Sequence, residues 1–170
     1  GFRGSHWMSG SCTQDYGSVT LMPFTATRPD TVKSFPSSAF SHSNEVARPS
    51  YYSVILDDYG INAELTGSVR SGMLRLTFPG DRVSCIMIRS NSDEKVGSVW
   101  HDIKRSEIAG YNPVHRIYQG RGSSAGFSGY FVIRFNKPFR VLSQGSGLQE
   151  IVLSFAGEKN VTATIGTSFT

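Results

Sequence analysis

Two cysteines and two tryptophans are all that the 170 residues hold of either type. Cys12 and Cys85 lack any C-x-x-C spacing, so they cannot build a zinc site by themselves. They form either one bridge, closing a loop long enough to contribute about 4 kcal/mol in the chain-entropy picture, or two separate buried thiols. Apolar runs of the roughly 20 residues that a helical membrane span needs are missing, and no membrane partner is expected. The first residues contain no apolar signal-peptide core. An initiator Met is also lacking, as expected of a mature or excised piece of something longer. Charge is sparse at 18% of residues, with a net charge of +4. The basic residues are spread thinly, and no run exceeds Lys104-Arg105. A nucleic-acid footprint needs them clustered on one face, so a mildly basic solvated surface is the better reading.

Helical periodicity is nearly absent, since no stretch keeps an apolar i, i+3, i+4, i+7 pattern for three turns. What the chain has instead is 18 Gly, 11 Phe and 7 Tyr, and short apolar segments bounded by turn residues. SVTLMPF (18–24) comes first and is expected to end at its proline. A Ser/Pro/Thr-rich loop runs from 25 to about 49. YYSVIL (51–56), the turn DDYG (57–60) and INAELTGSV (61–69) read as a hairpin whose second strand alternates apolar and polar residues. MLRLTF (73–78) follows, then VSCIMIR (83–89), which is apolar enough for a central strand. Residues 96–112 read as two strands, and GYFVIRF (129–135), FRVLS (139–143), LQEIVLSF (148–155) and VTATIGTSF (161–169) complete the set. About ten or more short strands with a turn every 8 to 15 residues predict an all-β, antiparallel β-sandwich, with 1–170 as a single domain.

Several constellations carry chemistry, each against a plainer reading. His101-Asp102 are adjacent and so point to opposite faces of a strand, which is not a dyad; no G-x-S-x-G elbow is present either. Asp57-Asp58 sit where hairpin turn chemistry explains both. GRGSSAGFSG (120–129) is glycine-rich but precedes a strand, so it offers no helix N-terminus to a phosphate. His42 and Glu45, in FSHSNEVARPSYYSVIL (40–56), belong to a long loop that either caps its own turns or delivers a site wall. The opening stretch GFRGSHWMSGSCTQDYG (1–17) places Arg3, His6, Trp7 and Asp15 on a glycine-rich backbone. An aromatic ring flanked by charged donors suits a sugar, stacking on its C–H face while binding its hydroxyls; a structural loop is the plainer alternative.

GFRGSHWMSGSCTQDYGSVTLMP resembles the entry segment of glycoside hydrolase family 92, the exo-acting α-mannosidases, especially its fungal members. FSHSNEVARPSYYSVILDDYGINAELTGSVRSGMLRLTFP, EIAGYNPVHRIYQGRGSSAGFSGYFVIRF and ATIGTSF continue that resemblance in order over essentially the whole chain. It implies an N-terminal β-sandwich joined to a larger (α/α)6 barrel, calcium dependence, inversion at the anomeric carbon, and mannose-containing glycans as substrates. Inversion uses two carboxyl groups separated enough to admit a water, and the resemblance puts both in the helical partner domain. No catalytic residue is therefore expected here, and the chain alone is expected to be inactive. Calcium ligands are not located in it. Trp7 is the leading candidate for sugar contact, then Arg3 and His6, with Asp15 as an orienting partner and His42 and Glu45 on a second loop. The resemblance also implies secretion, which the sequon Asn160-Val161-Thr162 permits. The alternatives are a stand-alone carbohydrate-binding sandwich and a structural domain that docks another protein.

Overall fold

The computed structural model describes residues 1–3, 18–28, 35–69, 71–90, 96–116, 123–145 and 147–169. Within them the strands are β1 (Phe2–Arg3), β2 (Val19–Ala26), β3 (Glu45–Arg48), β4 (Tyr51–Leu56), β5 (Ile61–Gly67), β6 (Ser71–Thr77) and β7 (Val83–Ser90). The series continues with β8 (Ser98–Asp102), β9 (Glu107–Arg116), β10 (Ser123–Phe135), β11 (Arg140–Gln144), β12 (Glu150–Phe155) and β13 (Asn160–Ser168). Among the described residues the one helical element is a 3-10 turn at His42–Asn44. The all-β expectation holds.

Two antiparallel sheets form the sandwich. One has the order β1-β2-β7-β12-β11, the other β3-β4-β5-β6-β13-β10-β9-β8. Alternation along each strand decides what lies between them. Leu21, Ile86, Ile88, Ile151 and Leu153 from the smaller sheet join Ile61, Leu76, Val161, Ile133 and Ile108 from the larger in one core. Full burial of each such side chain contributes about 1.5–3 kcal/mol. Phe135, Phe139 and Phe155 close one part of this core, with ring centroids 5.1–6.1 Å apart. The alternate residues of the smaller sheet, Phe24, Cys85, Met87 and Val152, form a second buried cluster with Tyr59 and Phe35 against it. Both faces of the central strand β7 are therefore covered, which is why its sequence reads as a continuous apolar run. Cys85 lies in this layer as a free thiol; Cys12 lies outside the described residues.

The structure corrects three expectations. Pro23 does not end the first strand but lies inside β2, paired with Ile86. β1 pairs with Thr20 and Leu21, so among the described residues β2 is an edge beyond them, where a missing N–H costs no ladder bond. The loop over 25–49 contains β3, paired along Glu45–Arg48 with Tyr51–Val54. β10 begins at Ser123, with a register shift between Ser124 and Ser128.

Residues 38 and 39 are tied to the β4–β5 turn. The Ala39 N–H donates to Asp58 Oδ2 at 3.0 Å and the Asp57 N–H to the Ala39 carbonyl at 3.0 Å. Ser38 Oγ accepts from the Asp58 N–H at 3.2 Å. Asp58 thus holds this segment to the turn through its carboxylate, and Asp57 through its backbone N–H. Phe35, at the start of this segment, lies under the Arg89 guanidinium at 4.3 Å. At the far edge of the larger sheet, the Val99 N–H donates to the Leu148 carbonyl at 2.6 Å, and Gln144 Nε2 donates to the Val99 carbonyl at 2.9 Å. Leu148 is in the left-handed region, at φ 55°.

Candidate functional site

A groove of about 620 Å³ opens where β1, the 35–40 segment and β4 meet. Its apolar lining includes Phe2, Phe35, Phe40 and Leu65, and Arg3 and Tyr52 supply polar groups. Arg3 is placed by register: β1 alternates, so Phe2 packs on the core while the exposed Arg3 turns outward. Tyr52 also follows from alternation. Of the Tyr51-Tyr52 pair, Tyr51 donates to Glu64 Oε1 at 2.8 Å, whereas Tyr52 lines the groove.

Tyr52 connects the groove to the second predicted loop. Its hydroxyl donates to Glu45 Oε1 at 2.5 Å, and His42 Nδ1 lies 2.5 Å from Glu45 Oε2. Local sequence explains the closeness of the last two. Ser41 caps the 3-10 turn by accepting from the Ser43 N–H, and the turn places His42 and Glu45, three apart, on one side. Phe40 lies edge-on to the His42 ring, with centroids 5.4 Å apart. Glu45 is shielded, with its side chain 21% exposed, and His42 is open at 86%.

The electrostatics follow from these contacts. Hydrogen bonds from Tyr52, and then from His42, hold the Glu45 carboxyl below the usual carboxylate range. Burial, with the Glu45 bond adding to it, pushes the Tyr52 phenol up to about 12. Glu45 is therefore ionised at neutral pH with each oxygen directed by a donor. A general acid has to be protonated, and these contacts favour the ionised form.

Of the six predicted site residues, the structure brings together His42 and Glu45, and joins them through Tyr52 to the groove that Arg3 lines. His6, Trp7 and Asp15 lie outside the described residues, in the stretch that follows directly on Arg3. Tyr52 and Phe40 were not singled out in the sequence; the only signal was the Tyr doublet, one member of which must face inward on a strand. Among the described residues no three His, Cys, Asp or Glu side chains converge, so they do not fit a calcium cage.

The family model of the Glycosyl hydrolase family 92 N-terminal domain matches residues 1–168. The chain belongs to this family. Among solved structures it is similar to the family GH92 α-mannosidase BT3965 of Bacteroides thetaiotaomicron, solved with mannoimidazole. The identity is 30% and the TM-score 0.68, over 95% of this chain and 24% of that one. The GH92 inverting mannosidase BT2199 of B. thetaiotaomicron VPI-5482 shares the fold, with 19% identity and a TM-score of 0.69 over 92% of this chain and 23% of that one. The GH92 family glycosyl hydrolase ccman5 does likewise, at 19% identity and a TM-score of 0.67 over 89% and 23%. This chain thus spans about a quarter of the length of the structures it matches. No protein with a curated description matches it. The named source of two of these relatives is bacterial, so the likeness to fungal members is finer than the matches carry.

Proposed function

We propose that the chain is the N-terminal domain of a secreted, inverting, calcium-dependent exo-α-mannosidase, in which it supplies one wall of the mannose-binding site and the interface to an (α/α)6 helical domain. The observation that carries this reading is a groove lined by Arg3, Phe40 and Tyr52, with Tyr52 tied in turn to Glu45 and His42. An ionised, oriented carboxylate and a guanidinium on an aromatic-lined surface match a pyranose, whose hydroxyls donate to one and accept from the other. The exposed Phe40, at 49% on the groove lining, is an apolar contact for a covering domain.

On this reading the acid and base belong to the helical domain, and no catalytic role is assigned to Glu45, whose contacts favour its ionised form. Calcium is, on the same reading, a cofactor of the full-length enzyme, and its ligands are assigned to no residue of this chain. Asn160 stands exposed at the head of β13, a position that accommodates a glycan on a secreted chain.

The test is hydrolysis of an aryl α-mannoside by the 170-residue chain and by the full-length gene product, each with and without a calcium chelator. Turnover by the longer protein alone, lost on chelation, is expected. Turnover by the short chain would overturn the division of labour, and silence from both would overturn the mannosidase reading.

A further inference from the structure

The larger sheet carries an aromatic row at the edge opposite the groove. Register sets Tyr111 against Tyr130 and Trp100 against Ala109, with Val132 opposite Ala109 on the other side. Alternation sends their neighbours Val99, Ile108, Phe131 and Ile133 into the core, which leaves these rings on the outer face. Ring centroids are 6.3 Å apart from Trp100 to Tyr111 and 6.1 Å from Tyr111 to Tyr130. Trp100 is 48% exposed and Tyr130 43%. The ring planes differ by 33° from Tyr111 to Tyr130 and by 50° from Trp100 to Tyr111, so the three form a stepped aromatic platform on the outer face.

A cleft of about 550 Å³ adjoins it, with Trp100 and Ala109 on its apolar side and Asp102, Lys104, Arg105 and Glu107 on its polar side. That volume is in the range of sites for small ligands. Two carboxylates, two cationic side chains and His101 line it, so its fixed charges balance and favour neither an anion nor a cation. On the platform itself the charges are satisfied internally: Arg134 Nε donates to Glu107 Oε1 at 2.7 Å. Asp102 Oδ1 accepts from the Lys104 and Arg105 N–H groups at 3.0 and 3.2 Å. Its other oxygen, Oδ2, is 3.7 Å from Arg105 Nε, beyond hydrogen-bond length.

We propose that this platform and cleft form a second binding site, for a neutral oligosaccharide whose pyranose rings stack on Trp100, Tyr111 and Tyr130 while its hydroxyls reach Asp102 and Arg105. Charge and shape decide for this occupant. A neutral, hydroxyl-rich ligand needs no counter-charge, its C–H faces match exposed aromatic faces, and the ring spacing is comparable to a monosaccharide unit. The site is distinct from the groove: β4 and β8 are six strand steps apart in the sheet order, about 29 Å along the sheet. The inference rests on the mannosidase reading only for the choice of first probe.

The experiment is a ¹H–¹⁵N titration of the chain with α-1,6-mannotriose and, in a second arm, cellotriose, each to about 20 mM, the range of weak lectin-type affinity. The Trp100 indole peak is assigned from Trp100→Phe. A saturable shift of that peak is expected, with Tyr130→Ala weakening binding about tenfold or more. Met73→Ala, on the same face but beyond β13, should leave it unchanged. No shift with either sugar overturns the proposal, as does a shift whose affinity survives Tyr130→Ala. Acrylamide quenching that fails to reach Trp100 in the full-length protein overturns it too, by showing polypeptide on the platform. A shift retained where aryl mannoside hydrolysis fails would sink the mannosidase reading alone.

Discussion

Glu45 holds two donors at once, Tyr52 at 2.5 Å on one carboxylate oxygen and His42 at 2.5 Å on the other. The consequence for pH follows from the signs. The Glu45 carboxyl is below its ordinary value of 4.5 in the fold, so its contribution to stability is present above about that pH and lost as pH falls through the folded value. Tyr52, raised to about 12 from 10.0, contributes below pH 10 and loses its contribution as pH rises towards 12. Urea midpoints measured from pH 2.5 to 7 should show Glu45→Gln less stable than the parent at neutral pH, with the gap closing in acid (window set by the ordinary Glu value). A gap independent of pH would contradict the hydrogen-bonded carboxylate. Ultraviolet titration near 295 nm should show a late phenol step near pH 12 whose amplitude falls by one tyrosine in Tyr52→Phe.

Gly110 is required by packing. A Cβ there would lie 2.3 Å from Phe131 Cζ and 2.4 Å from the Ser98 carbonyl. Gly110→Ala should cost about 3 kcal/mol, the upper range for overpacking. Adding Phe131→Leu should not restore stability, because the Ser98 backbone remains in the way. Equilibrium urea unfolding checks both variants.

Leu148 is 53% exposed and stands at φ 55°, so Leu148→Gly removes strain while giving up little burial. A gain of about 1 kcal/mol is expected in the same assay. A loss would mean that the leucine side chain supports the turn.

The Cys85 thiol is pushed up to about 12 by burial. Iodoacetamide at pH 8 should therefore leave Cys85 unmodified in the folded chain and alkylate it in urea, as read by peptide mass mapping. Labelling of Cys85 in the folded chain would show that the second buried layer opens.

In the full-length protein, Trp7→Ala should lower kcat/KM for an α-mannoside about five- to 150-fold, the equivalent of about 1–3 kcal/mol of lost stacking. An unchanged value would remove Trp7 from the sugar site.

Strands were legible where both faces had something to say. β4 was bounded correctly at Tyr51–Leu56 because the turn acids follow it immediately, and β7 because both of its faces are covered. β1 and β3 were missed: two and four residues are too short for alternation to show. Pro23 misled because an edge position, invisible in sequence, is what tolerates it. Within the site, His42 and Glu45 were legible as candidates on one loop, but their pairing depends on the 3-10 turn at His42–Asn44. The link to Tyr52 was not legible, since that depends on how β3 and β4 are placed in register. The Trp100 platform was hidden for the same reason, as Tyr111 and Tyr130 are 19 positions apart in the chain and meet only across a ladder.

The bonds at Val99 bear on how the chain behaves among its own copies. β8 ends the larger sheet, and an unpaired sheet margin is a template on which a neighbouring molecule can add a strand. Here the Leu148 carbonyl and the Gln144 amide already occupy both backbone groups of Val99. An incoming strand would have to displace them before it could begin to pair. The turn at Leu148 thus covers the middle of this margin, a small local cost against the strand addition that an open edge invites.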